Sequence, residues 1–259
     1  MLFNRRHVLV SLGFSVAITR PALAMPACGA ASEDTPPDKV IGIDIPAGAR
    51  FKSQAKTNWC WAASISTIFE TNGVKVGQEK LVRTMFCTTE DSDAPNSAAS
   101  SGPIFYALDR YWVDDNGQPF YSHVTPVVDG PKRSANEDPR EVLFHALEEK
   151  KQCIFGSEGH ATVAHKITVR NGKPTLWLWD PWPRNDRFLP PEGNQLLSEA
   201  CGSRPALDHE MLNASLLAVI SFRKPTSEID KQLFASLAQK REERDQKQCA
   251  GLRRYSHVQ

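Results

Sequence analysis

The stretch Gln54–Phe69 of this chain reads Gln-Ala-Lys-Thr-Asn-Trp-Cys-Trp-Ala-Ala-Ser-Ile-Ser-Thr-Ile-Phe. The apolar residues of its second half recur at the spacing of one helix face, which predicts a helix over about residues 59–70. Thr57 or Asn58 is expected to be the N-cap, because either side chain can accept a bond from an unpaired backbone N–H. Asn72-Gly73 supplies the C-terminal stop.

The same stretch places a cysteine in the first turn of that helix. Cys60 would face unpaired N–H groups and the positive end of the helix dipole, and both favour the thiolate over the thiol. Gln54 lies six positions upstream, where its amide can approach the same region. The pattern indicates a nucleophilic sulfur with a possible oxyanion donor beside it.

Length and composition restrict the class of protein. A chain of 259 residues with 41% hydrophobic residues can bury a core of its own, so one domain with tails is the simplest organisation. The formal net charge of +1 gives no electrostatic case for nucleic acid or an anionic membrane as a partner.

Residues 1–24 have the pattern of an export signal. Arg5, Arg6 and His7 precede an apolar run over residues 8–18, and Ala22-Leu23-Ala24 matches the small-x-small cleavage site, so the mature chain would start at Met25. The run is too short for a membrane span of ~20 residues. We expect a periplasmic or secreted bacterial protein. A retained N-terminal helix, and the choice between the general and the twin-arginine export routes, remain open.

The six cysteines are expected to include a disulfide framework in an exported chain. If Cys60 is free, at most two bridges form among Cys28, Cys87, Cys153, Cys201 and Cys249, and the sequence does not give their pairing. No two cysteines have the C-x-x-C spacing, and no H-x-x-x-H pair is found on a helix. We therefore expect neither a metal nor another cofactor.

The order of elements predicts an α+β fold, with helices first and antiparallel strands second. An irregular arm over 25–48 is followed by the helix of Cys60. The further helices expected are 78–86, about 103–112 with Pro103 in its first turn, one opened by Asp138-Pro139, and 226–248. A polar loop is expected over 88–102. The strands expected are 120–124, 153–155, a hairpin of 161–169 and 175–180 around Asn171-Gly172, and 215–222.

The sequence predicts two side-chain patterns on the later helices. The helix after Asp138 should bury a stripe of Val142, Leu143, Ala146 and Leu147. The last helix should dock its first turns through Ile229, Leu233, Phe234 and Leu237, and its charged run over 240–245 should face solvent.

The hairpin contains candidates for a base and for the group that orients it. Gly159-His160-Ala161 opens the first strand, and Asp180 ends the second, before Pro181-Trp182. A carboxylate that accepts from an imidazole fixes its tautomer and stabilises its charged form. The amide of Gln54 could donate to the oxyanion together with the backbone N–H of Cys60.

The choice of base is open between two histidines. His160 and His165 are an odd number of positions apart, so on a regular strand they face opposite sides. The Gly-His-Ala context favours His160, whereas counting back from Asp180 across a tight turn places His165 closer in register. A β-bulge, or a more distal contact between His160 and Asp180, would reconcile this pair with the strand pattern. His123, His145 and His209 lack such context and are expected to be ordinary surface or helix residues.

These motifs resemble papain-like cysteine peptidases over about residues 50–190, and most closely a compact bacterial branch. That branch includes bacteriocin-leader peptidases and papain-like effectors of plant pathogens. The resemblance is carried by Gln54, Cys60-Trp61-Ala62-Ala63, Gly159-His160-Ala161 and Asp180-Pro181-Trp182. It implies a helical N-terminal lobe that carries the Cys60 helix, a C-terminal antiparallel β lobe, and a cleft holding Cys60, His160, Asp180 and Gln54.

The resulting hypothesis is an exported peptidase with a papain-like domain over 49–223 and a charged helical tail over 224–259. Its partner would be a peptide or protein substrate. The alternatives are a peptidoglycan amidase or acyl transferase on the same residues, and a non-catalytic peptide-binding domain. Cleavage specificity, oligomeric state and a pro-segment role for 25–48 remain open.

Overall fold

The structure is a computed structural model that describes residues 36–43, 51–89, 91–129, 132–133, 138–182, 196–197, 203–206, 210–211 and 213–256. The export signal expected over residues 1–24 lies outside the described residues, as do Cys28, Cys201 and His209.

The described part of the chain contains five helices, and the positions of the first four follow the sequence pattern closely. They are α1 (Cys60–Thr71), α2 (Gln78–Phe86), α3 (Ser101–Leu108), α4 (Pro139–Glu148) and α5 (Glu228–Ser256). The prediction for α3 was wrong at its C-terminal end, because Trp112 lies in a strand and its indole N–H donates to the carbonyl of Ala107.

The strands form a largely continuous antiparallel sheet, which confirms the α+β class. They are β1 (Lys39–Gly42), β2 (Phe51–Lys52), β3 (Arg110–Val113), β4 (Pro119–Asp129), β5 (Lys132–Arg133), β6 (Gln152–Ser157), β7 (His160–Arg170), β8 (Lys173–Trp179), β9 (Leu196–Leu197), β10 (Ser203–Pro205) and β11 (Ala214–Arg223). Their order in the main sheet is β10-β8-β7-β6-β11-β4-β3, with β1 added to β7 and β5 added to β4. β2 and β9 pair separately.

The hydrophobic core consists of three clusters between the helices and the sheet, two of which are large. The larger cluster joins α1, α2 and α3 to the sheet through residues such as Ile65, Leu81 and Ile104. The other packs Leu143 and Ala146 of α4 against residues of β4, β6, β7, β8 and β11. Nearly every side chain of α1 is buried, as expected of a helix enclosed on all sides.

The expected N-cap of α1 was wrong. The N-cap is Trp59, and no side chain caps it. Thr57 and Asn58 are instead bonded to Asn96, whose amide donates to Thr57 Oγ1 at 2.7 Å and whose carbonyl accepts from Asn58 Nδ2 at 2.9 Å. The Trp59 indole donates to the carbonyl of Pro95 at 2.9 Å. The polar loop is thus hydrogen-bonded to the segment that leads into Cys60.

Two predicted helix boundaries are confirmed by their caps. Asn72 is the C-cap of α1, and Gly73 follows it with φ +71°, a conformation that favours glycine. Asp138 caps α4 and accepts from the backbone N–H of Arg140 at 2.9 Å. The stripe expected on α4 is present, since Leu143, Ala146 and Leu147 are buried and Val142 is half-buried.

The N-terminal arm is not irregular where the structure describes it. Lys39–Gly42 forms β1, which pairs antiparallel with the second half of β7. β6 pairs with the first half of β7, and β1 pairs with the second half along the same edge of that strand. Ile41 is buried there against Leu147 and Ile167. Residues 39–42 are too few for a hydrophobic pattern to predict a strand from the sequence.

The docking of α5 differs from the expectation. Ile229 and Leu233 are 79% and 52% exposed, whereas Phe234 is buried and meets the ring of Tyr111 edge-on at 5.1 Å. Asp245 was expected to face solvent, and this was also wrong. It is buried in an ion pair with Arg110 at 2.8 Å and accepts a bond from the hydroxyl of Tyr106.

A disulfide between Cys87 and Cys249 also joins α5 to the end of α2. Among the described residues the free cysteines are Cys60 and Cys153. None of the described helices combines the length and the apolar character that crossing a membrane requires.

Substituting Asp245→Ala should lower the free energy of unfolding by roughly 3–5 kcal/mol, because it leaves the buried Arg110 guanidinium without its counter-charge. Urea unfolding monitored by tryptophan fluorescence would measure this. Glu242→Ala, at an exposed position of the same helix, is the matched control and should change stability by less than about 0.5 kcal/mol. Equal effects of the two substitutions would contradict the role of the buried pair.

Candidate active site

The sulfur of Cys60 lies where the first turn of α1 meets the start of β7. The hydroxyl of Ser64, one turn further along α1, donates to the carbonyl of Ala161 at 3.1 Å and holds the two elements together. Because Cys60 is the first residue of α1, the backbone N–H of Trp61 is free of helical bonding and points toward the sulfur. The N–H of Ala161 also bonds the sulfur.

His160 enters the site from a tight turn. Glu158 and Gly159 connect β6 to β7 with φ of 53° and 79°, the pattern of a two-residue hairpin turn with both central residues left-handed. His160 follows immediately as the first residue of β7, and its side chain forms a hydrogen bond with the sulfur of Cys60. Its Nε2 lies 2.7 Å from Asp180 Oδ1, which leaves Nδ1 as the ring nitrogen for Cys60.

The environment favours a thiolate–imidazolium pair. Burial alone would raise the pKa of Cys60, but the bonds from His160 and from the two backbone N–H groups, with the charge of His160, lower it overall. Burial alone would lower the pKa of His160, but its bonds to Asp180 and Cys60 raise it to about 9. Each group thus stabilises the charged form of the other.

Asp180 is held by three partners. Its Oδ1 accepts from His160 and from the backbone N–H of Trp182 at 2.9 Å, and its Oδ2 accepts from Arg204 Nε at 2.8 Å. Burial would raise the pKa of this carboxyl, but these partners lower it, so Asp180 is ionised opposite His160. The carboxylate is fixed in orientation as well as in charge.

A register shift decides which histidine meets Asp180. Near the turn, Arg170 pairs with Lys173 and Lys166 with Trp177, but beyond His165 the pairing moves by one residue, so that Val163 pairs with Trp179. Without that bulge, His165 would share a face with Asp180 and His160 would face the other way. With the bulge, His160 and Asp180 lie on the same face and bond directly.

His165 occupies the bulge itself and is part of the core. It is 1% exposed, bonds Ser203 Oγ at 2.9 Å through Nε2, and packs 5.8 Å from the ring of Phe51. Burial, with the nearby charge of Lys166, lowers the pKa of His165 to about 3. It is therefore a neutral residue at ordinary pH, separate from the Cys60–His160 pair.

Gln54 is fully buried beside the segment that leads into Cys60. Its side-chain Nε2 donates to the carbonyls of Lys56 and Thr57 at 3.0 and 2.7 Å. Its backbone N–H donates to the carbonyl of Pro181 at 3.0 Å, which ties it to the segment after Asp180. Both amide hydrogens are engaged in this arrangement, so the role of Gln54 as an oxyanion donor stays a prediction.

The sequence did not reveal Arg204 and Glu210. Arg204 donates to Asp180 and, through its terminal nitrogens, to both carboxylate oxygens of Glu210 at 2.7 and 2.6 Å. No motif surrounds either residue, and only the pairing of β10 with β8 brings Arg204 near Asp180.

The remaining histidines that the structure describes lie away from the site. His123 is exposed and bonds Asp109 at 3.0 Å, and His145 is exposed on α4 beside Glu149. Within the described ranges, no three His, Cys, Asp or Glu side chains come together as possible metal ligands.

No protein-family model matches the sequence, and no curated protein matches it. Solved structures do resemble the fold. One, from work on the limited antibody cross-reactivity between the mite allergens Blo t 1 and Der p 1, has a TM-score of 0.43 and 10% identity, and the match covers 66% of each chain, just under two thirds. Another, digestive procathepsin L 3 of the Tenebrio molitor larval midgut, has a TM-score of 0.37 and 13% identity over 69% of this chain and 73% of that one. Likenesses this weak carry no argument about chemistry, which rests here on the geometry of the site.

β1 approaches the bulge closely. A Cβ added to Gly42 would lie 2.7 Å from the carbonyl oxygen of His165, and the N–H of Ile43 donates to that same oxygen. Gly42→Ala should therefore lower the free energy of unfolding by about 1–3 kcal/mol. Gly102→Ala, a helical glycine whose added Cβ meets nothing within 4 Å, should be neutral or stabilising in the same urea titration. A Gly42→Ala protein as stable as its parent would show that β1 does not constrain the bulge.

The pKa shifts predict how the alkylation of Cys60 depends on pH. The rate with iodoacetamide should reach its plateau well below the ordinary thiol pKa of about 8.5, since the thiolate is stabilised by His160. His160→Ala should move this inflection upward, while His145→Ala, at an exposed histidine, should not. Cys153 should stay unlabelled, because burial raises its pKa to about 12. Peptide mass mapping after timed labelling gives the alkylation rates of Cys60 and Cys153. An inflection that stays at the same pH in His160→Ala would contradict the pairing of His160 with Cys60.

Proposed function

We propose that this chain is an exported papain-like cysteine peptidase, and that Cys60, His160 and Asp180 cleave peptide bonds through an acyl-enzyme. The supporting observation is the bonded series from the Cys60 sulfur through His160 to Asp180 at the N-terminus of a buried helix. A nucleophile, a base in contact with it, and a group that orients the base are the parts that covalent acyl transfer requires.

The reaction follows from these positions. The Cys60 thiolate attacks the carbonyl carbon of the scissile bond, and the protonated His160 gives its proton to the leaving amine. The acyl group stays on sulfur as a thioester. His160, now neutral, takes a proton from water as that water attacks the thioester, and release of the acid restores the thiolate and the imidazolium. Asp180 stabilises the imidazolium in both half-reactions.

The oxyanion of each tetrahedral intermediate needs fixed donors. The backbone N–H of Cys60 is one candidate, because the first N–H groups of a helix lack intrahelical partners. The other is Gln54, which would have to turn one amide hydrogen from the carbonyl of Lys56 or Thr57 toward the substrate. One such donor typically contributes roughly 3–4 kcal/mol to barrier lowering.

Location and substrate belong to the same proposal. The charged and apolar pattern of residues 1–24, with its cleavage site before Met25, supports export to the periplasm or the medium. A peptide or protein substrate is supported by the resemblance of the Gln54, Cys60, His160 and Asp180 motifs to papain-like peptidases.

Turnover of a fluorogenic peptide library tests the proposal. Cys60→Ala should abolish cleavage, and His160→Ala should lower kcat by about 10²–10⁴-fold, the range supplied by a general acid–base. Cys153→Ala and His145→Ala are the matched controls and should retain the parental kcat. Full activity in Cys60→Ala would exclude the mechanism, and loss in His165→Ala with retention in His160→Ala would make His165 the base.

A further inference from the structure

Asp180 uses its two carboxylate oxygens for different partners. Oδ1 faces His160 and the N–H of Trp182, while Oδ2 is taken by Arg204 Nε at 2.8 Å. A carboxylate held at one oxygen can still rotate about its Cβ–Cγ bond. A bond to the second oxygen fixes that rotation and therefore the direction in which Oδ1 meets the imidazole.

Arg204 is itself held from behind. Its terminal nitrogens make two parallel bonds to Glu210, at 2.7 and 2.6 Å, in the fork geometry that makes guanidinium–carboxylate pairs specific. Arg204 is 9% exposed, and its strand β10 pairs with β8 so that Arg204 lies opposite Leu178, two residues before Asp180. The sheet thus sets the position of the arginine, and Glu210 sets the orientation of its side chain.

The charges alternate along this series. Cys60 and His160 form the reacting pair, and behind them Asp180, Arg204 and Glu210 are negative, positive and negative. Arg204 alone would oppose a positive charge on His160, and Glu210 offsets that effect. His165, also on β7, is buried and neutral, so it adds no charge.

We propose that Arg204, oriented by Glu210, is a positioning residue for Asp180 in the peptidase reaction. This inference rests on the proposed function, since it assigns to Arg204 the task of aiming the carboxylate that orients His160. Arg204 touches neither the sulfur nor the imidazole. Its effect should therefore appear in how well His160 is held and charged rather than in substrate binding.

Arg204→Gln tests this directly. It should lower kcat by about 10–100-fold with KM changed less than about twofold, because small displacements of catalytic groups cost rates of this order. The acid limb of Cys60 alkylation should move to higher pH, since an Asp180 without Arg204 protonates more readily and then no longer supports the imidazolium. Arg204→Lys should recover part of kcat, because one ammonium can reach Asp180 but cannot fork to Glu210.

Controls separate positioning from folding. Arg110→Gln removes another buried, ion-paired arginine, far along the sheet on β3, and should lower Tm while leaving the alkylation profile unchanged. Glu210→Gln keeps the bond between Arg204 and Asp180 but loosens the hold on the guanidinium, so it should lower kcat in the same direction as Arg204→Gln but by less. Glu210→Gln also tests the positioning role if the Arg204→Gln protein does not fold.

The outcomes distinguish this inference from the proposed function. If Cys60 of the parent protein labels no faster than the other thiols, the proposed function fails. If Cys60 labels rapidly in the parent, and neither Arg204→Gln nor Glu210→Gln changes the alkylation profile or kcat, only the positioning role of Arg204 is overturned. A loss of kcat in Arg204→Gln that Arg110→Gln reproduces at equal loss of Tm would overturn it as well.

Discussion

The hydrogen-bond register between β7 and β8 is the constraint on which the site depends. A tight Asn171-Gly172 turn sets one register, and the bulge at His165 changes it by one residue. Because side chains alternate across a strand, that single step exchanges which histidine faces Asp180. Gly42 and Phe51 pack against the bulge from two different strands, so the choice is made by tertiary contacts and not by the hairpin alone.

Burial and charge oppose each other throughout the site. Asp180 and Arg204 are buried and His160 is half-buried, which by itself disfavours their charged forms. Their bonds to one another reverse the effect for every member, so that the series is stable only as a whole.

Most of the fold could be read from local patterns, and the failures share one cause. The helices around Cys60 and after Asp138, and the Asn171-Gly172 hairpin, have caps or turn residues that act within a few positions. The buried state of Asp245 and the strand at Lys39–Gly42 depend instead on partners more than a hundred residues away. Arg204 lies only 24 residues from Asp180 along the chain, yet it too depends on a tertiary contact, because the pairing of β10 with β8 brings the two together. A carboxylate in a charged helical run looks like a solvated residue until its arginine is known.

The two free thiols that the structure describes show that burial alone does not lower the pKa of a thiol. Cys153 lies inside β6 among apolar side chains, and burial, with nothing to offset it, raises its pKa to about 12. Cys60 is also buried, yet its pKa is lowered, because His160 and two backbone N–H groups bond the sulfur. The helix start provides one of those N–H groups and β7 the other, together with the imidazole. The lowered pKa of Cys60 is therefore a property of the contact between α1 and β7, and neither element produces it alone.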